Sequence, residues 1–262
     1  TRQALNFLHQ GQCVSVVGPA KIGKTSFLSH VAHPYVRAQY RLAEEQIFVH
    51  LDGHSLNNLN QGECFLYIRE EVLHQVKNTV SVDRVVGVRL EKAVREAGQQ
   101  TAYFGLKTLF RTAQANDLKL TIILDNFEDL AQSPCLEDDF FSALRSLPTN
   151  YQMAYLVASR APLDTLEQTR PEASPFFNIF QPITLGPFMP EESRTFICTL
   201  LKQVYVEFPE FAINHILELG HNEPHRLQRA GYVAFQVWQE NQGVLQVEHC
   251  EEIRQRFEKM ET

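Results

Sequence analysis

Hydrophobic and polar positions form two kinds of segment along the first 187 residues. Short apolar runs rich in β-branched residues are typical of strands that are buried on both faces of a sheet. Longer stretches with apolar residues at helical spacing separate these runs, and the alternation predicts a parallel sheet covered by helices. The predicted strands are residues 13–17, 46–51, 120–124, 153–158 and 183–185.

Helical periodicity predicts a helix in each of five stretches between these strands. The segment 61–116 is long for a single crossover, so we expect it to contain two or three helices. A stretch with two prolines, 169–178, is expected to form an exposed loop. The predicted helices are residues 26–32, 62–76, 82–97, 103–115 and 138–147.

From residue 190 onwards the strand pattern disappears and the helical pattern remains, with helices predicted at 191–203, 209–219, 224–239 and 247–259. Pro190 before two glutamates is a typical helix start, because proline fits the first turn and carboxylates face the positive end of the helix dipole. We therefore expect an α/β three-layer sandwich with a parallel five-stranded sheet over residues 1–187. A small all-α lid domain is expected over residues 188–262.

The segment after the first predicted strand carries the strongest chemical pattern. It fits the P-loop pattern Gly-x-x-x-x-Gly-Lys-Thr, between a predicted strand and a predicted helix. Glycines let backbone N–H groups turn towards phosphates, and the following helix presents its positive end. Lys24 is expected to reach the β- and γ-phosphates of ATP, and Thr25 to ligate Mg²⁺. The predicted nucleotide-binding residues are Gly18, Pro19, Ala20, Lys21, Ile22, Gly23, Lys24, Thr25 and Ser26.

A second oxygen ligand for the metal ion is predicted at Asp125. This residue ends the apolar run 121–124, which is the Walker B pattern. The carboxyl ends of parallel strands lie at the edge of the sheet where ligands bind, so Asp125 is expected beside the P-loop, binding Mg²⁺ together with Thr25. The alternative is a turn residue that only ends a strand.

Hydrolysis also needs a group that orients the attacking water. Asn126, not glutamate, stands directly after Asp125, which favours slow hydrolysis. Glu128 and Asp129 are the acidic candidates, and Glu128 is our choice, acting with Lys24 in the catalytic set. The alternative is that both are solvated loop carboxylates.

Arg160 is predicted to contact the γ-phosphate and to take part in catalysis. It follows the strand predicted at 153–158, next to the strand that ends in Asp125. A guanidinium makes charge-assisted contacts to phosphate oxygens, so Arg160 is suited to sense whether the terminal phosphate is present. A surface arginine at the end of a strand is the alternative.

Composition and charge narrow the possible partners. A net charge of −7 lacks the basic footprint of a nucleic-acid-binding protein, so nucleic acid is not an expected partner. No apolar run approaches the ~20 residues that cross a bilayer, and the first residues lack a secretory pattern. Five widely separated cysteines argue against a disulfide framework. We therefore expect a cytoplasmic protein without a membrane partner.

The order of these motifs resembles the STAND nucleotide-binding modules, which are relatives of the AAA+ ATPases and include NACHT-like and NB-ARC-like switches of signalling and defence proteins. In the helical tail, the resemblance rests on the segment Gly220-His-Asn-Glu-Pro224. It implies that Pro224 packs near the adenine, and that His225 or Arg226 lies near the phosphates. A helix end at Gly220 followed by a helix start at Pro224 is the alternative, and it needs no ligand.

The resemblance also implies a mechanism and partners. ADP would hold the nucleotide domain and the lid closed, and exchange for ATP would open the module and allow assembly. The expected function is an ATP/ADP-binding regulatory switch with slow Mg²⁺-dependent hydrolysis, as the core of a larger signalling or defence protein. The implied partners are effector and sensor domains of the same longer chain and a nucleotide-dependent homo-oligomer.

Two other functions stay open. A DNA-associated AAA+-like ATPase of the replication-initiator or archaeal type would share this core, although the acidic charge opposes it. A small-molecule P-loop kinase would need arginines clustered in a substrate lid. Arg89, Arg95 and Arg111 are instead spread over helical patterns and are expected to be surface charges.

Overall fold

Five parallel strands form the sheet of the α/β part. The computed structural model describes residues 1–40, 46–79, 82–97, 101–165 and 175–261. The strands are β1 (Cys13–Val17), β2 (Gln46–Asp52), β3 (Lys119–Asp125), β4 (Met153–Ser159) and β5 (Phe180–Thr184). Their order is β2-β3-β4-β1-β5, and every neighbouring pair runs parallel, which confirms the predicted five-stranded parallel sheet.

The strands that lie between two neighbours are also the most apolar. Every residue of β1 and β4 is buried, and β3 is buried after its first residue, which is why these strands are continuous apolar runs. The edge strand β5 is mostly exposed and begins at Phe180 rather than at Ile183. The prediction missed its first half because a half-exposed edge strand has no continuous apolar run. Pro182 is tolerated there, since an edge strand has one unpaired side.

Helices connect the strands, and those predicted for the α/β part are confirmed with end shifts of up to three residues. Four short helices, α1, α3, α4 and α8, were not predicted, because helices of four to eight residues contain few apolar positions. None of the helices in the described ranges is long and apolar enough to cross a membrane. The helices are α1 (Arg2–His9), α2 (Lys24–Ala32), α3 (Pro34–Gln39), α4 (Gly53–Leu56), α5 (Gln61–Asn78), α6 (Arg84–Ala97), α7 (Ala102–Gln114), α8 (Phe127–Ala131) and α9 (Asp138–Asn150).

The long connection between β2 and β3 contains α5, α6 and α7, in agreement with the expectation of two or three helices. The first of them starts with a capping box. Asn60 Oδ1 accepts from the Glu63 backbone N–H at 3.0 Å, and the Glu63 carboxylate accepts from the Asn60 N–H at 2.9 Å. Two backbone donors at the helix start are thereby satisfied, which fixes where α5 begins.

The expectation of an exposed loop at 169–178 is wrong for Phe176 and Phe177. Phe176 and Phe177 are buried within a 3₁₀ helix, Pro175–Ile179, while residues 169–174 lie outside the described residues. The ring of Phe176 packs against Tyr155 and Phe127 with centroids 5.7 and 6.0 Å apart. The two prolines suggested a loop, but aromatic burial determined the outcome, because each buried ring removes a large apolar area from water.

The contacts divide the chain into two units. The first comprises Thr1–Gly18 and Lys24–Thr184, and the second comprises Pro19–Gly23 and Leu185–Thr262. The helices of the second unit confirm the predicted all-α region and enclose their own apolar core, which includes Ile216, Leu227, Val233 and Phe257. These helices are α10 (Pro190–Gln203), α11 (Glu210–Gly220), α12 (Pro224–Glu240) and α13 (His249–Glu261).

A close contact at Gly220 joins α11 to α12. A Cβ atom built on Gly220 would overlap Leu227 Cδ2 and would lie 2.6 Å from Leu227 Cγ and 3.1 Å from its Cα. Leu227 is fully buried, so its side chain has no space into which it can retreat. Glycine is therefore required here by packing and not by the backbone angle.

We expect Gly220→Ala to lower the free energy of unfolding by about 1–3 kcal/mol, the usual cost of overpacking a core. Urea unfolding followed by circular dichroism measures the change. Gly231→Ala on α12 is the matched control, because its Cβ would meet no atom nearer than Ile197 Cδ1 at 3.5 Å. This control should be neutral or slightly stabilising through helix propensity. Equal stability of the two variants would contradict the packing argument.

Candidate functional site

The loop after β1 turns sharply between the sheet and α2. The Gly18 N–H donates to the Ser159 carbonyl oxygen at 3.2 Å, which ties the start of the loop to the end of β4. Lys21 and Gly23 have positive φ angles of 64° and 102°. The second value suits glycine, because side chains rarely adopt it. Such turns direct backbone N–H groups to one side, as an anion cradle requires.

Lys24 is the first residue of α2, and its Nζ donates to the Gly18 carbonyl oxygen at 2.8 Å. Thr25 and Ser26 follow in the first turn of the same helix. Burial lowers the pKa of the Lys24 ammonium, while the carboxylates of Glu128 and Asp125 act in the opposite direction. The positive charge of Arg160 adds to the lowering of this pKa. Two carboxylates and a guanidinium are therefore close enough to influence the lysine.

Thr25 and Asp125 are brought together although they are far apart in sequence. The Thr25 hydroxyl donates to Asp125 Oδ2 at 2.6 Å, and the Asn126 backbone N–H donates to Asp125 Oδ1 at 2.9 Å. Asp125 is only 5% exposed, and both of its oxygens have partners. A hydroxyl and a carboxylate oxygen are ligands that Mg²⁺ accepts, so the residues fit the predicted metal.

The turn after Asp125 is held by the end of β2. Asn126 has a left-handed backbone with φ 49°, and its side-chain amide donates to Asp52 Oδ1 at 3.0 Å. A Cβ on Gly53 would overlap the Asn126 carbonyl oxygen and would lie 3.0 Å from that of Asp125. Our sequence interpretation missed Asp52 and Gly53. An Asp-Gly pair directly after an apolar run was the available signal, because it marks a turn at the end of a strand.

Glu128 and Arg160 form an ion pair, with Glu128 Oε1 and Arg160 Nε 2.9 Å apart. The two side chains differ in environment, since Glu128 is 13% exposed and Arg160 is 67% exposed. The second carboxylate oxygen, Glu128 Oε2, is buried and finds no hydrogen-bond partner among the described residues. The sequence predicted separate roles for these residues and did not predict that they contact each other.

The segment around Pro224 forms a turn between two helices. Pro224 is the first residue of α12, and the turn before it closes with a bond from the Glu223 N–H to the Gly220 carbonyl oxygen at 2.9 Å. Arg226 stacks on the ring of Phe257 at 5.3 Å and donates to the Leu219 carbonyl oxygen at 3.3 Å. The helix-to-helix turn that needs no ligand is thus formed, and contacts of Pro224 with adenine stay a prediction.

The structure brings five of the predicted side chains to the same edge of the sheet: Lys24, Thr25, Asp125, Glu128 and Arg160. This edge combines a glycine turn at the N-terminus of a helix with a strand that ends in a buried carboxylate, in a parallel α/β sheet. These features define the class of P-loop NTPases, in which the loop corresponding to Gly18–Thr25 holds phosphates.

A family model described as Novel STAND NTPase 1 matches residues 1–256. The chain belongs to this family, which confirms the resemblance noted from its motifs. The family and the fold support a nucleotide-binding P-loop ATPase module. P-loop NTPases usually bind Mg²⁺ together with the nucleotide. No curated protein sequence matches the chain.

Three solved structures illustrate the fold. The Aeropyrum pernix ORC2 protein in its ADPNP–ADP complexes has a TM-score of 0.68 and 16% identity, and the match covers 96% of this chain and 64% of that one. The Aeropyrum pernix ORC1 protein in complex with DNA has a TM-score of 0.60 and 12% identity, covering 97% and 63%. Domain III of the Thermotoga maritima replication initiation protein DnaA has a TM-score of 0.59 and 13% identity, covering 98% and 90%. The chain thus spans less than two thirds of either ORC chain, and these identities show the fold alone.

We expect Gly53→Ala to displace the turn at Asn126 and to lower the free energy of unfolding by about 1–3 kcal/mol. The backbone N–H of Asn126 should also exchange with solvent faster, since its hydrogen bond to Asp125 Oδ1 depends on this turn. NMR-detected hydrogen exchange and thermal unfolding measure the two effects. Gly87→Ala in α6 is the control, because its Cβ would lie 3.5 Å from the nearest atom, Lys77 Cγ. Unchanged protection of Asn126 would disprove the role of Gly53.

Proposed function

We propose that the chain is an ATP/ADP-binding regulatory switch with slow Mg²⁺-dependent ATP hydrolysis, and that it is the nucleotide-binding core of a larger STAND signalling or defence protein. The observation that carries the slow-switch proposal is the environment of Glu128. One of its oxygens is bound to Arg160 and the other is buried. Oε1 is thus already paired with a guanidinium, and Oε2 is not exposed to solvent as an acceptor that would orient a water molecule.

The residues at the sheet edge divide the work of nucleotide binding. The loop N–H groups and Lys24 would hold the phosphates, because both carry positive charge or dipole at the start of α2. Thr25 and Asp125 would hold the Mg²⁺ ion. Bound ATP with Mg²⁺ would supply the phosphoryl group that is transferred to water. Pro224 in the helical unit would contact the adenine, as the family resemblance implies.

The partners follow from the same proposal. Effector and sensor domains of a longer chain, and a homo-oligomer that forms with ATP, would convert the state of the nucleotide into a signal. The location would be the cytoplasm, where ATP and Mg²⁺ are available. The family assignment supports the nucleotide part of this proposal, while each partner is a separate proposal.

A DNA-associated ATPase is the second candidate, because one structure with this fold is an ORC1 protein in complex with DNA. The net charge of −7 is unfavourable for DNA, whose backbone is bound mainly through lysines and arginines. A kinase would need arginines clustered on a substrate lid, and this requirement disfavours it. Arg89 and Arg95 are instead exposed on α6, where they donate to Asn116 and Glu91. Fluorescence anisotropy with duplex DNA at low salt, with and without ATP, distinguishes a DNA-associated ATPase from a regulatory switch that does not bind DNA.

The proposed switch is tested by the nucleotide content and turnover of the purified protein. We expect ADP to copurify, and ATP turnover to be far below the ~10 s⁻¹ that is typical of enzymes. Lys24→Ala should reduce ATP and ADP binding below detection in calorimetry, because it removes the charge at the phosphates. Its control is Lys21→Ala, because Lys21 contributes its backbone N–H to the predicted phosphate cradle while its exposed side chain is expected to be solvated. This variant should therefore retain binding of both nucleotides. Unchanged affinity of Lys24→Ala would refute the phosphate site, and rapid turnover would refute the switch.

The Mg²⁺ ligands are tested by Thr25→Val, which keeps the shape of the side chain and removes the hydroxyl. We expect the gain in ATP affinity on adding Mg²⁺ to fall about tenfold or more, the scale of one hydrogen bond to a charged group. Thr25→Ser retains the hydroxyl and should retain the gain. Calorimetric titrations with Mg²⁺ and with EDTA measure it. An equal gain in both variants would exclude Thr25 as a ligand.

A further inference from the structure

Arg160 lies close to two features, the loop after β1 and the carboxylate of Glu128. Its chain neighbour Ser159 accepts the Gly18 N–H at 3.2 Å and pairs with Val17 in the β1–β4 register. The Arg160 guanidinium also influences the pKa of Lys24. A side chain that starts at this point therefore has two alternative anionic partners, the Glu128 carboxylate and a phosphate group held by the loop.

The two members of the ion pair are not equally free to move. Glu128 belongs to α8, whose first residue Phe127 is fully buried among Phe176, Phe177 and Phe180. The Glu128 side chain is mostly buried as well, whereas that of Arg160 is mostly exposed. An exposed arginine has many accessible rotamers, so Arg160 is the partner that can turn away.

In this ion pair one carboxylate oxygen of Glu128 contacts the guanidinium and the other is buried. Oε1 faces the guanidinium at 2.9 Å, and Oε2 is buried without a hydrogen-bond partner among the described residues. A buried acceptor without a donor costs free energy, so the carboxylate would reorient towards a donor once the pair is broken. Breaking the pair therefore changes what Glu128 can bind.

We propose that Arg160 is a positioning residue that holds Glu128 away from water until the terminal phosphate of a nucleoside triphosphate draws the guanidinium off the carboxylate. This proposal rests on the proposed nucleotide site and adds a competition to it. The terminal phosphate and Glu128 share one guanidinium, so binding of the triphosphate releases Glu128. A diphosphate lacks this competitor and leaves the pair closed.

The competition has a thermodynamic consequence that is independent of turnover. Triphosphate binding must break the ion pair, whereas diphosphate binding leaves it intact. Removing the carboxylate should therefore strengthen triphosphate binding and leave diphosphate binding unchanged. An ion pair with one exposed partner corresponds to a factor of about two to five in affinity.

The test is a double-mutant cycle read as the ratio of two dissociation constants. Calorimetry gives Kd for ADP and for a non-hydrolysable ATP analogue in wild type, Glu128→Gln, Arg160→Gln and the double variant. Glutamine keeps the size of the glutamate side chain and removes its charge. Asp129→Asn is the matched control, because it removes the neighbouring carboxylate on α8, which lies 3.5 Å from His54 Nδ1.

We expect Glu128→Gln to shift the ratio about two- to five-fold in favour of the ATP analogue, and Asp129→Asn to leave it unchanged. Arg160→Gln should weaken the analogue more than ADP. In the Arg160→Gln background, Glu128→Gln should no longer shift the ratio.

A shift of equal size in both backgrounds would overturn the proposal, since it would show plain charge repulsion by Glu128. An unchanged ratio in Glu128→Gln would overturn it as well, although nucleotide binding by the wild type would still support the proposed function. Absence of nucleotide binding by the folded wild type would instead refute the proposed function.

Discussion

Parallel pairing of β1, β4 and β3 is the constraint on which the site depends. Because these strands run in one direction, the chain leaves each of them at the same edge of the sheet, and each exit carries one part of the chemistry. The loop with Gly18 follows β1, Arg160 follows β4, and Asp125 ends β3. A register slip of one residue would exchange the two faces of a strand. It would also move Asp125 away from Thr25, so the apolar ladder that buries the strands also sets the geometry of the polar groups.

Aromatic packing supplies the second constraint, because it holds the segment that follows β3. Phe127 lies between Asp125 and Glu128 in the chain, and its buried ring contacts the 3₁₀ helix through Phe176 and Phe177. Asp52 and Gly53 hold the same turn from the side of β2. The carboxylate end of β3 is thus fixed on two sides, while Arg160 is exposed to solvent. Carboxylates on a fixed segment next to one exposed guanidinium form the arrangement that the proposed response to an added phosphate requires.

The sequence predicted the parts of the fold and site whose information is local. The loop from Gly18 to Thr25 and the aspartate at the end of β3 could be found, because residue type and spacing alone determine their chemistry. The central strands could be found because burial on both faces demands continuous apolar residues. The first half of β5 and the burial of Phe176 depend on neighbours that are distant in the chain. The contacts from Asp52 to Asn126 and from Arg160 to Glu128 depend on strand order, which no local pattern encodes.

The hydrogen bond between Thr25 and Asp125 closes a loop of 100 residues. The entropy of bringing these two proposed Mg²⁺ ligands together is therefore lost when the chain folds, and would not be lost when a cation binds. A hydroxyl retains lone pairs while it donates its proton, so the bond and a cation contact are compatible. The main cost of binding a small divalent ion at the proposed site would then be the removal of water from the ion. Selection among cations at such a preassembled pair would depend mainly on the hydration of the ion, with little contribution from the flexibility of the protein.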